Sequence, residues 1–149
     1  MIERVYWDTS ALLKLYAPEP DSHAFRALLR SRPGQTVTSF LHRVELFYAI
    51  RHKEHRGEVA PGAAERSIKR YARHVGEGRI VEIPWGEDVA ASAKEALGVC
   101  LSASAPVKLR SLDGLHLGAL ISTGLKQLVT TDLGMRRATA CLGIALVDP

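Results

Sequence analysis

Four acidic side chains carry the chemistry that this sequence can do. Asp8 follows the short apolar run "VYW" directly, and Asp132 follows "QLVTT" directly. Glu45 lies in "FLHRVELFYAIRH", where its neighbours at three and four residues are Leu41, His42, Tyr48 and Ala49, a largely apolar patch. Asp113 interrupts a stripe of Leu109, Leu112, His116, Leu117 and Leu120 at helical spacing. Each acid alone has a plain role: a helix cap, a turn, or a carboxylate reaching water from the margin of the core. Asp113 is the most demanding, because a buried ionised carboxylate costs several kcal/mol unless it is paired, hydrogen-bonded or metal-bound. Arg110 one turn earlier is one partner for it; a helix restarting at Gly114 with Asp113 as its cap is another reading. Taken together, four carboxylates repel one another unless a cation holds them. Oxygen-only ligands select a hard ion, Mg²⁺ or Mn²⁺, the usual device for phosphoryl transfer.

The elements that must position these acids alternate along the chain. Strands are predicted over 5–7, 35–38, 79–84, 127–130 and 144–147. Helices are predicted over 10–16, 22–30, 40–55, 63–74, 87–100 and 133–142, with one more opening at Pro106 and ending at Gly124 as its C′ glycine. Alternation of this kind implies parallel pairing in a three-layer α/β/α domain with a short, mainly parallel central sheet. Such sheets build sites outside the carboxyl ends of strands, where strand order reverses. Asp8 and Asp132 both fall at such ends.

The 149 residues suit a single domain over 1–149, with an ordinary hydrophobic fraction of 46% and no apolar run long enough to span a bilayer. The opening "MIERVYWD" lacks the basic segment and long apolar stretch of a secretory leader, which predicts a cytoplasmic protein with Cys100 and Cys141 reduced. A net charge of +4, with basic residues crowded between Arg51 and Arg79, favours an anionic partner or a pair of solvated helix faces. "HKEHR" at 52–56 spaces its histidines three apart rather than four, which argues against zinc. A receiver domain needs an acidic pair after the first strand, and a dehalogenase-type phosphatase needs Asp where Ser10 stands.

In order, "YWDTSALLKLY", "TSFLHRVELFYAI", "LRSLDGLHLGALISTG" and "LVTTDLGM" resemble the four acidic motifs of the PIN domain family, and more closely its VapC-type toxins. The resemblance covers essentially the whole chain. It implies a metal-dependent endoribonuclease that cleaves RNA with Mg²⁺ or Mn²⁺, is neutralised by a cognate antitoxin, and forms a homodimer. It places Asp8, Glu45, Asp113 and Asp132 in the acidic, metal-holding positions, with Ser10 and Thr130 as supporting hydroxyls and Arg110 and His116 as RNA contacts. Lying in the apolar stripe, His116 has the alternative reading of a hydrogen-bonded core histidine. Exposed apolar residues such as Leu41, Phe47 and Tyr48 are candidates for the dimer contact. Gly114 and Gly118 stand where alanine is more usual, which predicts a slightly less rigid helix. The alternative function is a non-catalytic protein of the same fold that binds RNA or an antitoxin with its metal site idle.

Overall fold

The computed structural model describes residues 2–32 and 34–149. In chain order its elements are β1 (Arg4–Trp7), α1 (Thr9–Tyr16), α2 (Ser22–Ser31), β2 (Gln35–Ser39), α3 (Leu41–His55), α4 (Ala63–Gly76), β3 (Ile80–Ile83), α5 (Glu87–Leu101), α6 (Ser111–Ser122), β4 (Gln127–Val129), α7 (Leu133–Leu142) and β5 (Ala145–Leu146). The strands form one sheet in the order β3-β2-β1-β4-β5, and every pairing is parallel. From β1 the chain winds outward through β2 and β3, then returns to lay β4 and β5 on the other side. The order therefore reverses between β1 and β4, and that crevice is where such a sheet accommodates a site.

Side-chain alternation in the strands divides the core into two layers. Val5, Trp7, Ile80 and Val129 face one way and pack with Leu12, Phe25, Leu46, Ile50 and Tyr71, so α1 to α4 cover that face. Tyr6, Ile83 and Leu128 face the other way and pack with Val89, Cys100, Leu117, Leu120 and Met135 from α5, α6 and α7. Tyr6 thus shares its face of β1 with the position of Asp8, two residues on. α5 and α6 approach very closely at Gly118. A Cβ there would stand 2.5 Å from the Val89 carbonyl oxygen and 2.8 Å from the Ala93 nitrogen. Gly118 is therefore a contact between helices rather than a point of slackness, whereas a Cβ at Gly114 would meet nothing within 4 Å.

One local expectation changes. The helix expected from Pro106 begins at Ser111. The Val107 N–H donates back to the Cys100 carbonyl at 3.0 Å, and Arg110 is extended, with φ −71° and ψ 152°, so the segment crosses from α5 in an open conformation. The start at Ser111 puts Asp113 in the first turn, where the helix dipole favours a carboxylate, and rules out a restart at Gly114. Asp21 precedes α2 but makes no side-chain cap; it accepts from Lys14 Nζ at 2.7 Å instead. Pro33, placed at the end of the second helix in the sequence reading, lies outside the described residues. Gly124 does follow α6 with φ 73°, as a C′ glycine should.

Candidate metal centre

Asp8 is buried at the end of β1 and satisfied from three sides. Its Oδ1 accepts from Ser10 Oγ at 2.7 Å and from the Ala11 N–H at 3.1 Å, and its Oδ2 accepts from Thr130 Oγ1 at 2.7 Å. The bond to Ala11 caps α1, so the capping role holds as well. All three donors are neutral. Burial, the largest influence, pushes the Asp8 carboxyl above its ordinary value against the pull of these bonds.

Thr130 also ties Asp8 to Asp132. Its Oγ1 accepts from the Asp132 N–H at 3.0 Å, while the Ser10 hydroxyl accepts from the Thr131 N–H at 3.1 Å. The two hydroxyls expected to support the acids therefore both touch Asp8 and both hold the loop after β4. Asp132 in turn caps α7, its Oδ1 accepting from the Met135 N–H at 2.9 Å.

Arg110 bridges the remaining pair. Its Nε donates to Asp113 Oδ2 at 2.9 Å, and its Nη2 donates to Asp132 Oδ2 at 3.1 Å. The Arg110 side chain is 76% exposed, so the guanidinium lies over the mouth of the cluster. The partnership with Asp113 read from their spacing is present, and it extends to a second acid that spacing alone does not show.

Glu45 points inward from α3 and meets two donors at one oxygen. Thr9 Oγ1 donates to Oε1 at 2.9 Å, and His116 Nε2 makes a very short contact with the same atom. Burial pushes the Glu45 carboxyl up, but the bond from His116, its charge and the bond from Thr9 outweigh it, and the net shift is downward. His116 has only 3% of its side chain exposed, and its Nδ1 lies 2.8 Å from the Tyr6 hydroxyl. Its expected place as an RNA contact gives way to a buried hydrogen-bonded imidazole beside an acid. Beneath it His42 is fully buried, its Nε2 2.7 Å from the Trp7 carbonyl and its Nδ1 3.0 Å from the Ser39 N–H. Burial holds the pKa of His42 down to about 3, so the ring is neutral.

Asp8, Asp113 and Asp132 are thus linked through Thr130 and Arg110, and Glu45 joins them through Thr9, next in the chain to Asp8, and His116, one turn after Asp113. Tyr6, Thr9 and His42 were not singled out as site residues, although strand alternation placed Tyr6 on the face of Asp8. Among the described residues, no three carboxylate, imidazole or thiolate side chains stand close enough to share one ion. The donor chemistry nevertheless fits a hard cation: every candidate ligand atom is oxygen, and a guanidinium already stands between Asp113 and Asp132 where positive charge is needed.

The basic run between Arg51 and Arg79 does not converge on the acids. Arg51 pairs with Glu54, Arg56 with Glu58, and Arg79 with Glu77. Arg70, His74 and Arg79 instead line a cavity of about 570 Å³ that also includes Thr36 and Ile80, at the amino ends of β2 and β3. Of the apolar residues considered for a dimer, Tyr48 is 61% exposed, Phe47 packs against the core, and Leu41 is half-buried. Among the described residues no helix is long and apolar enough to cross a membrane.

The PIN domain family model matches residues 5–140. Ribonuclease VapC46 of Mycobacterium tuberculosis strain ATCC 25618 / H37Rv is 32% identical over 147 residues, covering 97% of both chains. Among solved structures, VapC20 of M. tuberculosis, a sarcin-ricin-loop-cleaving toxin, superposes with a TM-score of 0.69 at 14% identity over 97% of this chain and 99% of that one. VapBC2 from Rickettsia felis, solved bound to a DNA fragment from their promoter, superposes with a TM-score of 0.65 at 15% identity, covering 97% and 98%. By the match of its family model over 5–140 and its identity to a curated VapC ribonuclease along nearly the whole chain, this chain belongs to the PIN domain family and, within it, stands among the VapC-type ribonucleases.

Proposed function

We propose that this chain is a divalent-cation-dependent endoribonuclease of the VapC type, held inactive by a cognate antitoxin. One observation supports the reading: the acids of four separate motifs are linked through shared partners, Asp8 to Asp132 through Thr130, Asp113 to Asp132 through Arg110, and Glu45 to the helix of Asp113 through His116. Asp8 and Asp113 would hold the principal ion, with Glu45 and Asp132 completing the site directly or through water. Mg²⁺ or Mn²⁺ bound there supplies an activated water and neutralises charge growing on the scissile phosphate.

The chain's own residues do the rest. Ser10, Thr130 and the Ala11 N–H hold both Asp8 oxygens in fixed directions. Thr9 and His116 fix one Glu45 oxygen, and among the described residues the other has no chain donor. Arg110, 76% exposed beside Asp113 and Asp132, could meet an RNA phosphate, a contact that positions the strand without reading its sequence. No side chain here is placed as a covalent nucleophile.

The same guanidinium favours a second reading, a non-catalytic binder whose site stays filled by Arg110. Cleavage of matched RNA and DNA oligonucleotides with Mn²⁺ or Mg²⁺, wild type beside Asp8→Asn, separates the two. RNA cutting by wild type alone supports the nuclease. Equal inactivity of both on every RNA favours the binder, and DNA cutting revises the substrate.

A further inference from the structure

Both nitrogens of the buried His116 ring are committed. Nδ1 lies 2.8 Å from the Tyr6 hydroxyl and Nε2 contacts Glu45 Oε1. The Tyr6 phenol is fully buried, with its oxygen against Nδ1 of the ring. A carboxylate oxygen only accepts, so Nε2 carries a hydrogen aimed at it, while the phenol oxygen faces Nδ1. The opposite tautomer would set a nitrogen lone pair against a carboxylate oxygen. The ring is held edge-on by its neighbours: the His42 centroid is 4.9 Å away at 82°, and the Tyr6 centroid is 6.0 Å away at 70°. Thr9 adds a second donor to the same oxygen, while Oε2 of Glu45 has no chain donor among the described residues.

Resting on the metal-centre reading above, we infer that His116 is a positioning residue. Glu45 and Tyr6 together fix its tautomer, and its Nε2–H ties back one Glu45 carboxylate oxygen, leaving the other for the cation the site would hold. Asp113 lies one helical turn before His116, so α6 supplies an acid of its own and aims one from α3. Partners that orient ligands in this way typically alter metal affinity by about 10- to 100-fold.

The test uses the metal-free protein and two independent readouts. Long-range ¹H–¹⁵N NMR of His116 should show the Nε2–H tautomer, and Tyr6→Phe, which removes only the hydroxyl, should keep it, because the Glu45 carboxylate still accepts from Nε2. Mn²⁺ calorimetry should show about tenfold weaker binding for His116→Ala, a smaller loss for Tyr6→Phe, and partial recovery for His116→Gln, whose amide restores a donor. An Nδ1–H tautomer in wild type overturns the inference whatever the metal does. So does Mn²⁺ affinity in folded His116→Ala equal to wild type. A wild type that shows the Nε2–H tautomer but binds no Mn²⁺ overturns the metal-centre reading instead, and with it the consequence for the cation.

Discussion

The site has two halves that solve the same electrostatic problem differently. Asp8 is buried and held by two hydroxyls and a backbone N–H, with no positive partner among its hydrogen bonds. Asp113 and Asp132 lie nearer the surface and share one guanidinium. Neutral donors fix direction but do not cancel charge, so the Asp8 carboxyl is driven upward by burial. A guanidinium cancels charge but, on a long exposed side chain, is easily displaced. The deep half is rigid and short of positive charge, and the shallow half is neutralised and exchangeable. A divalent ion entering at the mouth would complete the first by displacing the cation of the second.

The largest effect should come from removing charge at the deep half. Asp8→Asn is expected to cut RNA cleavage by more than about 100-fold, beyond the usual cost of an outer partner. It should also raise stability at neutral pH. The folded state binds the Asp8 proton more tightly than the unfolded chain does. This group therefore favours the fold at low pH, and that contribution is lost as pH rises through the folded pKa. Urea denaturation at pH 8 and pH 4 should show the gain from Asp8→Asn at pH 8 and little at pH 4. Equal gains at both would mean that burial is not what raises the group.

Next comes the link between the halves. Thr130→Val leaves one Asp8 oxygen and the Asp132 N–H without a partner, which should cost about 1–3 kcal/mol of stability in the same assay. A smaller loss would show that water replaces the hydroxyl and that the deep half is not sealed.

A comparable sensitivity lies under the site. His42 titrates near 6.5 when unfolded but at about 3 when folded, so the unfolded chain takes up a proton first as pH falls. Stability from this ring is full above pH 6.5 and should fall by about 2 kcal/mol by pH 5. A stability profile measured from pH 7 to pH 5 on wild type and His42→Gln should show the slope in wild type only.

The smallest effect should arise in the shallow half. Arg110→Gln removes two ion pairs made by one exposed guanidinium, each worth up to about 1 kcal/mol, so stability should fall only modestly. Mn²⁺ affinity should rise several-fold while RNA affinity falls. A drop in both would show that Arg110 organises the acids rather than guarding them.

The sequence made the frame legible because parallel strands end abruptly, and Asp8 and Asp132 stand directly after two of them. The apolar stripe of α6 likewise exposed Asp113 and gave His116 its buried alternative. The partners were not legible. Nothing in the pattern marks Thr9 or Tyr6, and the Arg110 contact with Asp132 joins residues 22 apart through space. The late start of α6 was hidden because Pro106 suits a first helical turn as well as an extended crossing. Gly118 was misread because slackness and close approach call for the same residue, and only the facing backbone tells them apart.

That last contact gives the site a weak point far from its acids. The backbone of α6 at Gly118 sits so close to Val89 and Ala93 of α5 that not even one methyl fits. Asp113 and His116 ride on the same rigid helix, so a displacement at Gly118 reaches both as one movement. A random screen for inactive variants should therefore return Gly118→Ala beside changes to the acids themselves. Its signature would be a protein that folds, keeps all four carboxylates, and holds them out of register.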